Sequence, residues 1–236
     1  MPPRFTLAPI VLALTSALAG IAHAADDSTS LVLNPVVVTG SRAEAASFDM
    51  PAAIDVLDRD QITAGQPRIN ASEALVAVPG VIANNRQNYA QDLQLSIRGH
   101  GARSTFGVRG VQVFVDGIPA TMPDGQGQTN NIDLQSVERI EVLRGPYSTL
   151  YGNASGGVIN AYTERGEGRP RIDSSFAVGS NGQKRLGLKA QGEQSGVGYV
   201  VSASRYLTDG WRRQSAADQG FAMQHDGSDW VHACPR

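Results

Sequence analysis

The sequence has 236 residues, with 20 Lys and Arg against 22 Asp and Glu and a formal net charge of −2. This balance excludes a nucleic-acid-binding protein that relies on bulk positive charge. The single cysteine excludes an internal disulfide and a thiolate metal cage, and the 26 glycines favour short strands, turns and loops over a helical bundle.

Residues 1–24 predict a cleaved signal peptide. Arg4 precedes a mostly apolar stretch, residues 7–21, and Ala22-His23-Ala24 fits a small-x-small cleavage site. An uncleaved membrane anchor is the alternative, but proline and glycine interrupt the apolar stretch. No later segment has the roughly 18 apolar residues of a membrane-spanning helix. We therefore expect an exported protein that could enter a membrane only through strands.

Residues 25–50 predict an extended segment on a flexible tether. A β-prone island, residues 31–40, precedes a run of small and polar residues, 41–50. Such an island can add to the edge of a partner's sheet, and its Pro35 fits only at the start or edge of a strand. The alternative is a strand of the domain that follows.

Residues 51–165 have the alternation and turn residues of a compact α+β domain. Strands are predicted at 53–57, 93–98, 111–116, 137–144 and 158–162, and short helices after Asp58, at 71–77 and at 146–151. The second helix has Asn70 as its N-cap, with Glu73 three residues later. We expect a small mixed sheet of four or five strands with two or three helices.

Three long polar loops interrupt this domain, at residues 83–92, 99–110 and 120–131. Long loops in a compact domain are often functional. Their hydrogen-bonding side chains and two aromatic rings indicate a recognition surface. The side chains concerned are Arg86, Tyr89, His100, Arg103, Phe106, Arg109, Asp124, Gln126 and Gln128.

Residues 166–210 predict antiparallel strands joined by tight turns. Segments 171–178, 183–191 and 197–206 each have an apolar face and a polar face. Strands of this length and pattern are typical of a transmembrane β-barrel, and a soluble meander is the alternative.

Residues 211–236 are predicted to be irregular, because no alternation is recognisable beyond about Gly220, and a frame-shifted end is one interpretation. A metal site is an alternative interpretation of His225, His232 and Cys234, but their spacing matches no zinc signature. We therefore predict neither a metal site nor a bound cofactor. The sequence also lacks H-E-x-x-H, G-x-x-x-x-G-K-[ST], G-x-S-x-G and C-x-x-C motifs, so we predict that the protein is not an enzyme.

Four stretches resemble the N-terminal part of the TonB-dependent outer-membrane receptors. N-P-V-V-V-T-G at 34–40 is similar to the TonB box, and L-S-I-R-G at 95–99 and V-F-V-D-G-I-P at 113–119 are similar to plug-domain strands. The most specific stretch begins with V-E-R-I-E-V-L-R-G-P and runs from residue 137 to residue 160. All four lie in the family's order and spacing.

The resemblance implies an α+β plug domain at 51–165, followed at 166–210 by the start of an antiparallel transmembrane β-barrel that is truncated. The family's barrel has about 22 strands, wide enough to need a plug. Three predicted strands cannot close, and an open edge in lipid leaves backbone groups unsatisfied. We therefore expect that this chain does not transport a ligand by itself.

The resemblance also implies partners and a location. Pro35, Val36, Val37, Val38 and Thr39 would bind TonB, the energy-coupling protein, as an added strand. Outer-membrane lipid would surround a complete barrel, and the ligand would be a small organic molecule or a metal chelate, siderophore-like or cofactor-like. We expect the cell outer membrane, or the periplasm for a truncated product.

Further functional residues follow from the resemblance. Arg98 and Arg144 match plug arginines that pair with barrel glutamates, and Glu141 matches an acid of the same network. Their barrel partners would lie beyond residue 236, and the alternative is that both arginines are solvated. The polar loops match the plug apices that contact substrate. The ligand-contact candidates are Arg86, Arg103, Phe106, Asp124 and Gln126.

A free periplasmic plug module that binds ligand or TonB without transport is the alternative from another functional class. A soluble module has no need of three membrane-length strands. Residues 171–206 therefore favour the receptor.

Overall fold

The computed structural model describes residues 52–85, 89, 92–104, 107–122, 124–212, 215–226 and 230–232, together with the two short strands β1 (Val37–Val38) and β2 (Ala45–Ala46). These two strands pair antiparallel as a ribbon, with Val37 opposite Ala46 and Val38 opposite Ala45. The signal-peptide prediction falls outside the described residues.

The α+β domain, called the plug below, contains two sheets and three short helices. Its strands are β3 (Ile54–Asp58), β4 (Val81–Asn84), β5 (Gln94–Ile97), β6 (Val108–Arg109), β7 (Val111–Val115), β8 (Ile118–Pro119), β9 (Gln126–Gly127), β10 (Val137–Arg144) and β11 (Gly157–Thr163). Its helices are α1 (Arg59–Thr63), α2 (Ser72–Leu75) and α3 (Ser148–Tyr151). The larger sheet has the order β3-β10-β11-β7-β8, and the smaller one β4-β5-β6-β9.

The larger sheet is mixed, as predicted, because β7 runs parallel to β11 and the other pairs are antiparallel. It contains four of the five predicted strands together with the unpredicted β8, and the fifth predicted strand, β5, lies in the smaller sheet. Strand β10 has the predicted bounds but is more buried than its alternation suggests. Ile140, Val142 and Leu143 are all buried, since β3 and β11 flank β10 and apolar clusters pack on both faces of the sheet. The smaller sheet was not predicted, since β6 and β9 are two-residue strands inside the predicted polar loops.

Side-chain caps define where the first two helices begin. Asp58 accepts a hydrogen bond from the Gln61 backbone N–H at 2.8 Å, and the Gln61 side-chain oxygen accepts one from the Asp58 backbone N–H at 3.2 Å, which is a capping box. Glu73 accepts hydrogen bonds from the backbone N–H groups of residues 68, 69 and 70, at 2.6, 2.8 and 3.2 Å. Asn70 Oδ1 accepts a hydrogen bond from the Ser72 backbone N–H at 2.9 Å, so the predicted Asn70 and Glu73 side chains do bond the start of this helix. The regular helix is shorter than predicted, and its N-cap position is Ala71 instead of Asn70.

Five antiparallel strands follow the plug and form what we call the strand wall. They are β12 (Arg171–Val178), β13 (Lys184–Gln194), β14 (Val197–Thr208), β15 (Ala217–Asp226) and β16 (Trp230–His232), in chain order across the sheet. The three predicted strands are confirmed, and the wall does not close on itself among the described residues.

The wall has an apolar outer face and a polar face toward the plug. Ile172 and Phe176 on the outer face are 78% and 71% exposed, whereas Arg185 and Lys189 on the other face are buried at 5% and 1%. An apolar exterior and a polar interior are the pattern of outer-membrane barrel strands. The α+β domain followed by antiparallel barrel strands is therefore the fold that the sequence predicts.

The prediction of an irregular tail from residue 211 is wrong for residues 217–226. This segment pairs with β14 over ten consecutive positions, from Thr208–Ala217 to Tyr199–Asp226. The alternation is hard to recognise because both faces are mixed: the exposed outer positions carry Asp218, Gly220 and Gln224, and the inward side carries Gln219 beside Phe221 and Met223. The side chains of His225, His232 and Cys234 lie outside the described part, so the frame-shift and metal interpretations are not addressed. Within the described residues, no helix has the length and hydropathy to cross a membrane.

Candidate functional site

A cavity of about 290 Å³ lies between the plug and the strand wall, and we call it the seam cavity. Two of the three predicted polar loops contribute to it, loop 83–92 through Tyr89 and Asp92 and loop 120–131 through Thr129. The wall contributes Arg185 and Tyr206. The cavity thus joins predicted recognition loops to the polar face of the wall.

Two tyrosines close one side of the seam cavity. The Tyr89 and Tyr206 hydroxyl oxygens are 3.1 Å apart, and the ring centroids are 5.2 Å apart. Gln219 donates a further hydrogen bond from the wall to the Tyr89 carbonyl oxygen at 3.2 Å. Burial, followed by the hydrogen bond to Tyr206, raises the pKa of Tyr89. The phenol therefore remains a neutral donor in the physiological range.

Two polar atoms facing the seam cavity lack a hydrogen-bond partner among the described residues. They are Asp92 Oδ1 and the hydroxyl oxygen of Thr129, a residue that is 3% exposed. Burial raises the pKa of Asp92 above its usual value. Unpaired buried acceptors are costly, so they favour water or a ligand donor in the cavity.

The cavity also holds two guanidinium groups. Arg185 donates to Ser175 Oγ at 3.2 Å and to Gln135 Oε1 at 3.4 Å. Burial lowers the pKa of Arg68, and the charge of Arg59 contributes in the same direction. With Asp92 on the same cavity, the lining offers both donors and acceptors, as small-ligand sites in proteins do.

Asp92→Asn is expected to stabilise the protein at neutral pH by less than about 1 kcal/mol, because the folded chain no longer carries a poorly solvated charge. Since the folded pKa of Asp92 is raised, the penalty exists only where the carboxylate is ionised and disappears as the pH falls through that pKa. Urea unfolding at pH 7.5 and at pH 3.5 measures the difference. Equal gains at both pH values would contradict it.

The remaining predicted loop, residues 99–110, forms an open depression of about 590 Å³. His100, Arg103 and Arg109 line it with glycine, alanine and serine, and no acidic residue is among the lining groups. Gly101 is required here, since its φ is +87° and a Cβ would lie 2.9 Å from the Arg109 carbonyl oxygen. The loop therefore presents a basic concave surface.

The predicted ligand-contact residues do not form one cluster. Arg103 lines the basic depression, and Gln126 lies opposite Arg109 in the β6–β9 pair. Asp124 instead accepts a hydrogen bond from the Gln126 backbone N–H at 3.0 Å, so its carboxylate shapes the turn. Arg86 and Phe106 lie outside the described residues.

The predicted charge network is only partly assembled. Arg144 Nε lies 2.5 Å from Asp55 Oδ2, an ion pair without hydrogen-bond alignment, and Arg144 donates to the Pro79 carbonyl oxygen at 3.0 Å. Arg98 has an exposed side chain, and its backbone N–H donates to the neighbouring Gly80 carbonyl oxygen at 2.9 Å. The structure thus brings both arginines to residues 79–80.

Glu141 lies apart from these arginines. It is fully buried, three residues before Arg144 on β10 and therefore on the opposite face of the sheet. Its partner is Arg139, whose Nε is 3.1 Å from Glu141 Oε1 and whose guanidinium lies 4.2 Å from the centroid of the Tyr162 ring. Glu141 and Arg144 thus have partners within the plug, and pairing with barrel glutamates remains a prediction.

The predicted TonB-binding residues 35–39, called the coupling segment below, are described only at Val37 and Val38, which form β1. Pro35, Val36 and Thr39 lie outside the described residues. The sequence reasoning missed a buried ion-pair cluster that joins Glu164 at the end of the plug to Lys189 of the wall. Alternation places Lys189 on the polar face of its strand, but only the fold shows which acid faces it.

Comparisons with known proteins agree with this architecture. The family model "TonB-dependent Receptor Plug Domain" matches residues 46–158. A hemin receptor of Yersinia enterocolitica is 30% identical over 234 residues, covering 95% of this chain and 32% of the relative. An iron-regulated outer membrane virulence protein of Vibrio cholerae serotype O1 is 35% identical over 210 residues, covering 84% and 30%. This chain spans about a third of the length of these curated relatives.

Among solved structures, the unliganded ferric citrate transporter FecA is similar to this chain. The two superpose with a TM-score of 0.64 at 25% sequence identity, over 82% of this chain and 31% of the transporter. The shared region includes the plug and continues into the strands that follow it, since it exceeds the length of the plug alone.

Proposed function

Because the chain belongs, through its plug domain, to the TonB-dependent receptor family, we propose that it works as part of an outer-membrane receptor for a small organic ligand or a metal chelate, siderophore-like or cofactor-like. The observation that carries this proposal is the two-faced strand wall. Its polar face packs on the plug, and its apolar face is open, with exposures from 41% at Val201 to 78% at Ile172. Lipid is the solvent that such a face fits.

A free periplasmic plug module is less well supported. In water, the uncovered outer face would leave Ile172, Phe176 and Val178 exposed side by side on one strand, and such patches cause association. A soluble binder also has no use for buried arginine and lysine side chains on the opposite face.

Ligand binding is proposed for the end of the wall that faces the outside of the cell. Outer-membrane barrels have short periplasmic turns and longer external loops. Strands β13 and β14 are joined by two residues, Ser195 and Gly196, whereas β14 and β15 are joined by residues 209–216. The seam cavity is lined by Arg185, Tyr206 and Gln219, close to the longer connection. It therefore lies toward the proposed external end.

Transport energy would reach the plug through the coupling segment. We expect Val36→Pro and Val38→Pro each to weaken binding of the chain to the periplasmic domain of TonB by about tenfold or more, because proline removes a ladder hydrogen bond from an added strand. Calorimetric titration of the mature chain measures this, with Ser28→Pro as the control outside the segment. Undiminished binding by both segment variants would exclude strand addition there.

The basic depression favours an anionic group on the ligand. Arg103→Gln and Arg109→Gln are each expected to weaken binding of ferric citrate, used as a probe, by about three- to tenfold, with a smaller loss at high salt. Arg169→Gln is the matched control, since Arg169 is exposed and lies outside the depression. Equal affinities for all three variants would remove the depression from the proposed ligand surface.

A further inference from the structure

Three charged side chains from separate parts of the chain meet where the plug contacts the strand wall. Glu164, the residue after β11, receives Arg59 Nη1 at 2.7 Å on one carboxylate oxygen and Lys189 Nζ at 2.5 Å on the other. The side chain of Lys189 is 1% exposed and that of Glu164 is 12% exposed. Asp173 of β12 adds a longer contact, 3.6 Å from Lys189 Nζ, and is itself 46% exposed.

Arg59 connects this cluster to the first folded element after the tether. It is the first residue of α1, directly after β3, and it also donates to the carbonyl oxygens of Val137 and Gln135 at 2.8 and 3.1 Å. Strand β3 is at the edge of its sheet and, among the described residues, pairs with β10 alone, over five positions. An edge strand of the larger sheet thus leads directly into the arginine that covers Glu164.

The energetics make the cluster sensitive to the position of Arg59. A buried ammonium group is tolerated only while it is paired, and Glu164 divides its carboxylate between two cations. Displacement of β3 and α1 would withdraw Arg59 from Glu164 and would also break its hydrogen bonds to the carbonyl oxygens of Val137 and Gln135. Water could then reach the pair between Glu164 and Lys189, which weakens it through the higher local dielectric.

We propose that Arg59, Glu164 and Lys189 form a latch that holds the plug to the strand wall and that opens when β3 and α1 are displaced. The latch follows from these contacts alone and does not depend on the ligand. If the proposed coupling function is correct, a pull on residues 35–53 acts first on β3, so the latch is the first plug–wall contact to be released.

The reactivity of Lys189 toward an acetylating reagent can report opening of the latch, with Lys184 as an internal reference. The chain contains two lysines, Lys184 and Lys189, of which Lys184 is exposed. We would treat the full chain, refolded in detergent micelles, with an amine-acetylating reagent and quantify both sites by mass spectrometry. In the unmodified chain, Lys189 is expected to react at least about tenfold more slowly than Lys184, because it becomes accessible only through opening. Equal rates would overturn the latch.

Variants then test how the latch opens. Arg59→Gln and Val56→Pro, which breaks the β3–β10 ladder, are expected to accelerate acetylation of Lys189 about tenfold without changing Lys184. Arg59→Lys should retain most of the protection. Arg205→Gln, which removes an exposed ion pair with Asp218 on the wall, is the matched control and should change neither rate.

Hydrogen exchange of β10 and β11 separates latch opening from unfolding of the plug. The β11 amides and the β10 amides that donate to β11 should stay protected in both accelerating variants, because the β10–β11 ladder keeps its pairing, whereas β10 amides that donate to β3 lose protection when Val56→Pro breaks that ladder. Lys189 remaining slow in Arg59→Gln would show that Arg59 does not hold the latch. Acceleration accompanied by loss of β10 and β11 protection would mean that global unfolding exposes Lys189, and the latch would again be refuted.

Discussion

Glu164→Gln is expected to lower the free energy of unfolding by about 3–5 kcal/mol, the range found when one partner of a buried ion pair is removed. The neutral amide leaves Lys189 buried at 1% exposure, with only the partly exposed Asp173 at 3.6 Å as a carboxylate within ion-pair distance in the described part of the chain. It also leaves Arg59 without its 2.7 Å partner. Urea unfolding of the full chain in detergent micelles, followed by far-ultraviolet circular dichroism, measures the loss.

A double variant distinguishes the cost of leaving the buried Lys189 ammonium group unpaired from the cost of lost packing around Glu164. Glu164→Leu combined with Lys189→Met removes both charges and should recover most of the stability that Glu164→Gln loses, because apolar residues of similar volume often replace buried ion pairs without cost. Glu167→Gln, three residues away and exposed, should change the free energy of unfolding by less than about 0.5 kcal/mol. If Glu164→Gln behaves like Glu167→Gln, the buried pair contributes little to stability.

Gly157→Ala is expected to destabilise the plug by about 3 kcal/mol, which combines backbone strain with a steric clash. Gly157 has a φ of +149°, and a Cβ there would collide with the Leu143 carbonyl oxygen and lie 3.1 Å from Ile97 Cδ1. Because the colliding atom belongs to the backbone of β10, it cannot move aside as a flexible side chain would. The same urea titration measures this effect.

Substitutions at two other glycines separate the backbone strain from the steric clash in the prediction for Gly157→Ala. Gly168 also has a positive φ, +78°, but a Cβ would meet no atom within 4 Å, so Gly168→Ala carries the strain of about 1–2 kcal/mol alone. Gly220 has neither a positive φ nor a neighbour within 4 Å, so Gly220→Ala should be close to neutral. A loss for Gly157→Ala no larger than that for Gly168→Ala would show that the β10 backbone accommodates the methyl group.

Local sequence patterns predicted a helix or strand of this protein well wherever its two faces have the surroundings that are usual for such an element. The alternation of residues 137–144 and 171–178 gave the bounds of β10 and β12 without error. It failed at 217–226, because β15 has polar and apolar residues on both faces, with Asp218 and Gln224 at exposed outer positions and Phe221 and Met223 on the inner side. Patterns of hydropathy detect a strand only where one face is apolar and the other is polar.

The candidate site was harder to predict than the elements. The polar loops were identified from length and composition, and two of them do line the seam cavity, through Tyr89, Asp92 and Thr129. Asp124 was predicted to contact the ligand, but its carboxylate accepts a hydrogen bond from the backbone of its own turn. Composition shows that a loop can recognise a ligand, whereas the direction of each side chain depends on turns such as the one at 124–126.

By itself, the sequence determined the order of an α+β plug and amphipathic strands, the caps at Asp58 and Glu73, and the family, because periodicity, capping and short motifs depend on neighbours along the chain. Only the tertiary structure decided which charges pair. Glu141 bonds Arg139 on one face of β10, and Arg144 lies beside Asp55 on the other. Glu164 joins Arg59 to Lys189, which lies 25 positions after Glu164 in the chain. Coulomb attraction is strong only over a few ångströms in a desolvated place, and the fold alone sets both the distance and the burial.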